Sequence, residues 1–165
     1  MDRKIFILVV EDELEVMEAL VNDLEQFEGY FPIESANSSE EAKQVVEDIY
    51  AAGNEIGLVL CDHVMPGQNG VDFLIELQTN NQQHNAKKVL VTGQAGLEDT
   101  IQAINNAQLD HYIAKPWTKE QLEEVVTAQL TNYIMAQRYN PMQYMMILDS
   151  VRLLEYMRTH KITDH

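Results

Sequence analysis

Carboxylates, a hydroxyl group and an amine each follow a short apolar run in this sequence. Glu11 and Asp12 follow Lys-Ile-Phe-Ile-Leu-Val-Val, and Asp62 follows Gly-Leu-Val-Leu-Cys. Thr92 ends the run Lys-Lys-Val-Leu-Val-Thr, and Lys115 follows Asp-His-Tyr-Ile-Ala. Runs this short and apolar are typical of strands buried on both faces of a sheet. Because parallel strands end at one edge of their sheet, we expect these five side chains to lie close together.

The three carboxylates predict a cation site. Carboxylates packed together repel, so one of them takes up a proton unless a cation lies between them. Mg²⁺ suits such a site because it is a hard ion, bound by one or two carboxylates together with water and phosphoryl oxygens. The hydroxyl of Thr92 and the ammonium of Lys115 can hold the oxygens of a phosphoryl group on Asp62. These residue types therefore predict a site for an aspartyl phosphate.

The elements that position these residues alternate along the chain. Predicted strands cover residues 4–10, 31–36, 56–61, 88–92 and 110–114. Apolar residues at helical spacing follow each strand; Leu97, Ile101 and Ile104 mark the fourth helix. Ser38 and Thr118 begin capping boxes for the second and fifth helices. Strands that alternate with helices in this way predict an α/β fold, with a parallel sheet covered on both faces.

Four motifs together resemble the receiver domain of two-component response regulators. They are Glu11-Asp12, Asp62-x-x-Met65-Pro66-x-x-x-Gly70, Thr92-Gly93 and Tyr112-x-x-Lys115-Pro116. The resemblance covers about residues 3–130, with the motifs in the order and at the spacing of that family. It implies a flavodoxin-like fold, which is a five-stranded parallel sheet of order 2-1-3-4-5 with helices on both faces.

The resemblance also implies a role for each acidic residue. Asp62 would accept a phosphoryl group from the phosphohistidine of a sensor histidine kinase or a phosphotransfer protein. Asp12 and Asp62 would bind Mg²⁺ through their side chains, Val64 would bind it through its backbone carbonyl, and Glu11 would act through a water molecule. Many receivers have aspartate where this chain has Glu11, and the longer side chain is still expected to reach the metal-bound water.

The remaining motif residues would hold the phosphoryl group and report its presence. By resemblance, Lys115 would stabilise the phosphoryl oxygens, and Thr92 and Tyr112 would form the switch pair. The Lys115–Pro116 bond is expected to be cis, an isomer that proline makes accessible. Val64 and Gln94 flank the dephosphorylation path of the family, so their identities are expected to influence the lifetime of the phosphate.

Three residues near these motifs are expected to be structural. Cys61 is expected to be a small buried apolar residue. His63 is interpreted as a bystander in its loop, because imidazole suits softer metals than Mg²⁺. Trp117 is expected to pack against the fold, with a partner surface as the minor alternative.

Composition limits the class of protein further. Residues 1–118 carry 6 Lys/Arg against 21 Asp/Glu, giving −15, whereas residues 119–165 carry 5 against 6, giving −1. Such an acidic body disfavours nucleic-acid binding, which depends on neutralising phosphates. Neither a membrane span nor a signal peptide is predicted, and the single cysteine fits a reducing compartment. These observations predict a cytoplasmic protein that binds neither membrane nor nucleic acid.

The C-terminal part is predicted to extend beyond the receiver. We assign residues 1–130 to the receiver domain and residues 131–165 to an extended fifth helix and an additional C-terminal helix. Asn140-Pro141 suggests a new helix start, followed by an apolar stripe at helical spacing through Tyr144, Ile147, Leu148, Val151 and Leu154. A helical hairpin packed on the receiver, and a dimerisation element or connector to an output domain, both fit this pattern.

The predicted function is a phosphorylation-controlled switch that catalyses only its own phosphorylation and dephosphorylation. Phosphorylation of Asp62 would alter the surface formed by the fourth helix, fifth strand and fifth helix, and with it the C-terminal helices. Two alternatives stay open: a stand-alone phosphotransfer intermediate or phosphate sink, and an unphosphorylated protein-interaction scaffold. A phosphatase that acts on other substrates is disfavoured, because its acid/base carboxylate commonly lies two residues past the nucleophile, where this chain has Val64.

Overall fold

All five strands pair in parallel in one sheet. The computed structural model describes residues 3–93 and 101–160. The strands are β1 (Ile5–Val10), β2 (Ile33–Ala36), β3 (Glu55–Cys61), β4 (Lys87–Thr92) and β5 (His111–Ala114). Their order in the sheet, β2-β1-β3-β4-β5, confirms the predicted order. Gln94 and Leu97, which were included in the sequence predictions, lie outside the described residues.

Helices cover both faces of this sheet. They are α1 (Leu14–Asp23), α2 (Ser39–Ala51), α3 (Gly70–Thr79), the π-helical segment α4 (Ala103–Ala107), α5 (Lys119–Ala136) and α6 (Ser150–His160). Alternate residues of β1 point to opposite faces: Ile7 and Val9 join a core with α1 and α5, whereas Leu8 and Val10 join one with α2, α3 and α4. Burial on both faces explains why the strands are apolar throughout.

Side chains cap the predicted helix starts. Ser38 Oγ accepts a hydrogen bond from the Glu41 amide at 3.1 Å, and Thr118 Oγ1 accepts one from the Gln121 amide at 3.1 Å. Each bond satisfies an amide that has no partner within the first turn of its helix. The N-terminal ends of α2 and α5 therefore lie where the capping boxes place them.

Two element boundaries differ from the sequence prediction by more than one residue. The apolar spacing predicts a first helix through Phe27, but the helix stops at Asp23 and a 3₁₀ turn (Glu25–Phe27) continues the apolar pattern. The second strand begins at Ile33 rather than Phe31, because the Phe31 amide donates to the Phe27 carbonyl at 2.8 Å and Pro32 has no amide hydrogen, although the Phe31 side chain is buried in the core. The apolar pattern thus reported burial correctly but not the backbone conformation.

The predicted apolar stripe from Tyr144 to Leu154 is wrong as a single helix. Pro141–Tyr144 is a 3₁₀ turn, and a new helix, α6, begins at Ser150. Asp149 causes the break, since its Oδ1 accepts from the Arg152 amide at 3.1 Å and caps the new helix. The restart changes the buried face, so that Leu148 and Leu153 are buried while Val151 and Leu154 are exposed.

The C-terminal extension, residues 137–160, packs against the core that α1 and α5 share. Tyr139 Oη donates to Glu55 Oε1 at 2.6 Å, beside a 2.5 Å bond from Tyr133 Oη to the same oxygen. The rings of Phe31 and Tyr144 stack with their centroids 5.5 Å apart. Contacts at Tyr139 and Tyr144 therefore hold the first part of the extension on the core.

Candidate active site

The three predicted carboxylates converge at the carboxyl edge of the sheet. Carboxylate oxygens of Glu11, Asp12 and Asp62 all lie within 4.8 Å of one another. Adjacent pairing of β1 and β3 produces this convergence, because Val10 is in register with Cys61 and the Val10 carbonyl accepts from the Asp62 amide at 2.9 Å. Glu11 and Asp62 are buried, and Asp12 is half-buried.

Lys115 reaches this cluster from the end of β5. Its Nζ lies 2.6 Å from Glu11 Oε1 and 3.4 Å from Asp62 Oδ2. Burial raises the pKa of Glu11, although the hydrogen bond from Lys115 opposes the rise. Burial lowers the pKa of Lys115, but the hydrogen bond and the charge that Glu11 supplies, together with the charge of Asp62, outweigh this and raise it overall. Lys115 is therefore an ammonium ion at neutral pH. The peptide bond between Lys115 and Pro116 is cis, as predicted.

The residue after Asp62 orients both the carboxylate and the following loop. The His63 amide donates to Asp62 Oδ1 at 2.8 Å. The His63 carbonyl accepts from the Gly70 amide at 2.9 Å, and its Nδ1 accepts from the Val71 amide at 3.4 Å. His63 is buried, and its hydrogen bonds give it a structural role in the loop beyond that of the predicted bystander. Sequence spacing carries no sign of this role, because the loop must first fold back onto it.

A depression of about 260 Å³ lies over Asp62. It is lined by Glu13, Asp62, Val64, Thr92, Gly93 and Lys115. The buried Thr92 accepts at its backbone carbonyl a hydrogen bond of 2.9 Å from the Tyr112 hydroxyl, which links the two predicted switch residues. Glu13 is the lining residue that the sequence analysis missed; its position directly after Glu11-Asp12 was the available clue.

The donor set fits a hard divalent cation. Within the described part of the chain, Asp12 Oδ1 is buried and has no hydrogen-bond partner. A carboxylate oxygen left in this state is costly unless a positive charge satisfies it. Among the described residues, Lys115 pairs with Glu11 and Asp62 but not with Asp12. Three clustered carboxylates with one unsatisfied oxygen are the all-oxygen environment that Mg²⁺ prefers.

Comparison with known proteins identifies the family. The model of the response regulator receiver domain matches residues 7–127. The chain belongs to the response regulator receiver domain family. This receiver is 30% identical over 125 residues to the hydrogenase transcriptional regulatory protein HoxA of Cupriavidus necator, which covers 76% of this chain and 24% of that protein. It is also 30% identical over 121 residues to the phosphate regulon transcriptional regulatory protein PhoB of Escherichia coli, covering 70% of this chain and 47% of that protein.

A solved structure agrees in both sequence and fold. The response regulator receiver domain protein (CheY-like) from Methanospirillum hungatei is 30% identical, with a TM-score of 0.68, and the match covers 80% of this chain and 97% of that chain. The receiver spans about a quarter to a half of the curated relatives that it matches. The whole extension, residues 137–160, lies beyond the family match, which ends at residue 127. Among residues 3–93 and 101–160, no helix is both long enough and apolar enough to cross a membrane.

Proposed function

We propose that this receiver is a phosphorylation-controlled switch in two-component signalling and that Asp62 is its phosphoacceptor. The observation that carries the proposal is the contact of Lys115 Nζ with Asp62 Oδ2, at 3.4 Å, beside the three-carboxylate cluster. An ammonium ion at this position is suited to hold phosphoryl oxygens attached to Asp62. The protein would act on itself and not on an external substrate.

The reaction transfers one phosphoryl group. A carboxylate oxygen of Asp62 bonds to phosphorus while the bond from phosphorus to the donor imidazole nitrogen breaks, and the electron pair stays on that nitrogen. The His63 amide holds Asp62 Oδ1, and Lys115 lies beside Oδ2, so the nucleophile is oriented before the donor arrives. Lys115 also offsets the charge on the phosphoryl oxygens.

Mg²⁺ fits the site as cofactor. We assign its binding to the side chains of Asp12 and Asp62 and the carbonyl of Val64, with Glu11 acting through a water molecule; when bound, the ion neutralises charge on the phosphoryl oxygens. The unsatisfied Asp12 Oδ1 is the support for this assignment in the chain itself.

The switch would start at Thr92 and Tyr112. Phosphorylation adds a charge of about −1.5 to −2 and new acceptor oxygens next to the Thr92 hydroxyl. Because the Tyr112 hydroxyl is bonded to the Thr92 carbonyl, a movement of Thr92 would alter the position of Tyr112 on β5. The proposed output surface comprises α4, β5 and α5, and α5 leads directly into the C-terminal helices. Only contacts that differ between the two states can shift their populations.

The rim of the depression suits a protein donor. Val64 lines the depression and is 49% exposed, and Leu14, which follows the lining residue Glu13 in the chain, is 71% exposed. Apolar side chains around a polar cavity offer contact area to a partner that inserts a histidine. A sensor histidine kinase or a phosphotransfer protein is the partner class that we propose.

Intact mass spectrometry tests the chemistry. We expect the receiver, incubated with acetyl phosphate and Mg²⁺, to gain the mass of one phosphoryl group, and Asp62→Asn to gain none. Lys115→Ala keeps the phosphoacceptor and should gain the group much more slowly. If the wild-type protein gains no mass, the switch proposal is refuted, and the remaining alternative is an unphosphorylated protein-interaction scaffold. If the mass increases but neither the amide exchange of α4, β5 and α5 nor the binding of a partner changes, the result would favour a phosphotransfer intermediate or phosphate sink.

A further inference from the structure

The C-terminal extension has two apolar faces, and its own receiver uses only one. Leu148 and Leu153 are buried in the core shared with α1 and α5. On the other side of α6, Val151 is 75% exposed and Leu154 56%. These two residues lie three positions apart on α6 and so share a face of this helix. We call Val151 and Leu154 the outer face; Met146, which precedes α6, is also 88% exposed.

This outer face is held in place before any partner binds. The Asp149 amide donates to Thr131 Oγ1 at 3.2 Å, and the Arg152 guanidinium donates to Asn132 Oδ1, so the start of α6 is bonded to the middle of α5. The bond from Tyr139 to Glu55 secures the other end of the extension. Because its backbone is already ordered, association costs less conformational entropy than it would for a free arm.

The distribution of charge indicates what covers the outer face. Residues 1–118 carry a net charge of −15, so a basic partner is drawn to that body rather than to the extension. Residues 137–160 contain three arginines and two acidic residues, giving +1. An apolar surface with almost no net charge matches a surface of the same character, and a second copy of this chain supplies one.

We propose that the outer face is a homodimer interface in which α6 packs against α6 of a second copy about a twofold axis. A twofold interface needs a self-complementary patch. Arg158 and Glu155 supply both signs of charge next to Leu154, and within one copy they form an ion pair of 2.6 Å. In an antiparallel pair of helices, each copy can therefore present an acidic group to the basic group of the other. The proposal concerns assembly and does not depend on Asp62.

Sedimentation velocity of the full chain across a dilution series tests this interface. We expect a reversible dimer, and we expect Leu154→Lys to weaken it by more than about tenfold, which corresponds to about 1.4 kcal/mol. Tyr30→Lys is the control, since Tyr30 is an exposed large side chain that lies outside both α6 and the proposed output surface. Both replaced side chains are exposed, and thermal unfolding would verify that each variant folds.

Ionic strength provides a second, independent measurement. Residues 1–118 of the two copies each carry a net charge of −15 and therefore repel each other. Because salt screens this repulsion, the dissociation constant of the dimer should fall as salt is added. A wild-type protein that stays monomeric throughout the series would overturn the proposal. So would a dimer that Leu154→Lys leaves intact, or one that Tyr30→Lys disrupts instead. The mass gain at Asp62 is measured separately, so either proposal can fail without the other.

Discussion

Replacing Gly70 with alanine is the sharpest test of how the active-site loop is built. Gly70 is the first residue of α3, where alanine is ordinarily the better helix former by about 1 kcal/mol. A Cβ at this position, however, would lie 1.8 Å from the Asp62 carbonyl oxygen and 3.0 Å from Cys61 Sγ. Local propensity therefore predicts stabilisation, whereas the packing predicts a severe clash with backbone.

The clash decides the sign. A Cβ essentially never lies closer than 3.0 Å to another heavy atom, so residue 70 and the Asp62 carbonyl must separate by about 1.2 Å, from 1.8 to 3.0 Å. Overpacking of this kind costs about 1–3 kcal/mol, which lowers the melting temperature by roughly 2–12 °C in a chain of this size. A displacement of about 1 Å at a reacting group can also cost about a hundredfold in rate.

Two measurements on the same samples examine these magnitudes. Thermal unfolding reports the stability of Gly70→Ala, and intact mass after timed exposure to acetyl phosphate and Mg²⁺ reports its rate of phosphorylation. Gly29→Ala is the control, because a Cβ at Gly29 meets no atom within 4 Å and should be neutral or slightly stabilising. If Gly70→Ala melts and reacts as the wild-type protein does, the loop does not depend on this close approach and our reasoning is wrong.

Three further predictions concern single groups. Burial lowers the pKa of Lys88 to about 8, below its ordinary value of 10.5. Between pH 8 and pH 10.5 the unfolded chain therefore binds more protons than the folded protein. The free energy of unfolding should rise with pH over this range, by up to about 3 kcal/mol. Urea denaturation should show this rise in the wild-type protein and a flatter profile in Lys88→Met. Asp12→Asn should weaken Mg²⁺ binding at least tenfold. A Mg²⁺ titration monitored by the fluorescence of Trp117, the single tryptophan, measures this affinity. An unchanged affinity would show that Asp12 is not part of the metal site. His63→Leu removes the acceptor of the Val71 amide, which should cost about 0.5–1.5 kcal/mol of stability and slow phosphorylation. His63→Asn, which retains an acceptor, should recover part of both, and identical behaviour of the two variants would show that this bond is unimportant.

The sheet and the carboxylate cluster were predictable because the relevant information is local. Apolar runs, breaks and capping boxes marked the strands and two helix starts, and parallel strands must end along one edge. Once Glu11, Asp12 and Asp62 were placed at strand ends, their convergence followed. The order of the strands came from the family resemblance and not from the spacing of the residues.

The errors share a different cause. The apolar stripe after Tyr144 was assigned to one helix, because periodicity cannot show that Asp149 caps a new one. His63 was judged from its residue type alone, whereas its role depends on the Gly70 and Val71 amides folding back onto it. In both cases hydrogen bonds to backbone amides, which the period of the apolar pattern does not register, determine what the side chain does.

By itself the sequence determined which residues can do chemistry here and which strand end carries each of them. Those properties follow from residue type and from the period of the apolar pattern, both of which are local. The tertiary structure decided that Lys115 bridges Glu11 and Asp62, that Asp12 Oδ1 has no partner among the described residues, and that Val151 and Leu154 are exposed. These facts depend on distances of a few ångströms between segments far apart in the chain, which only the packed fold sets.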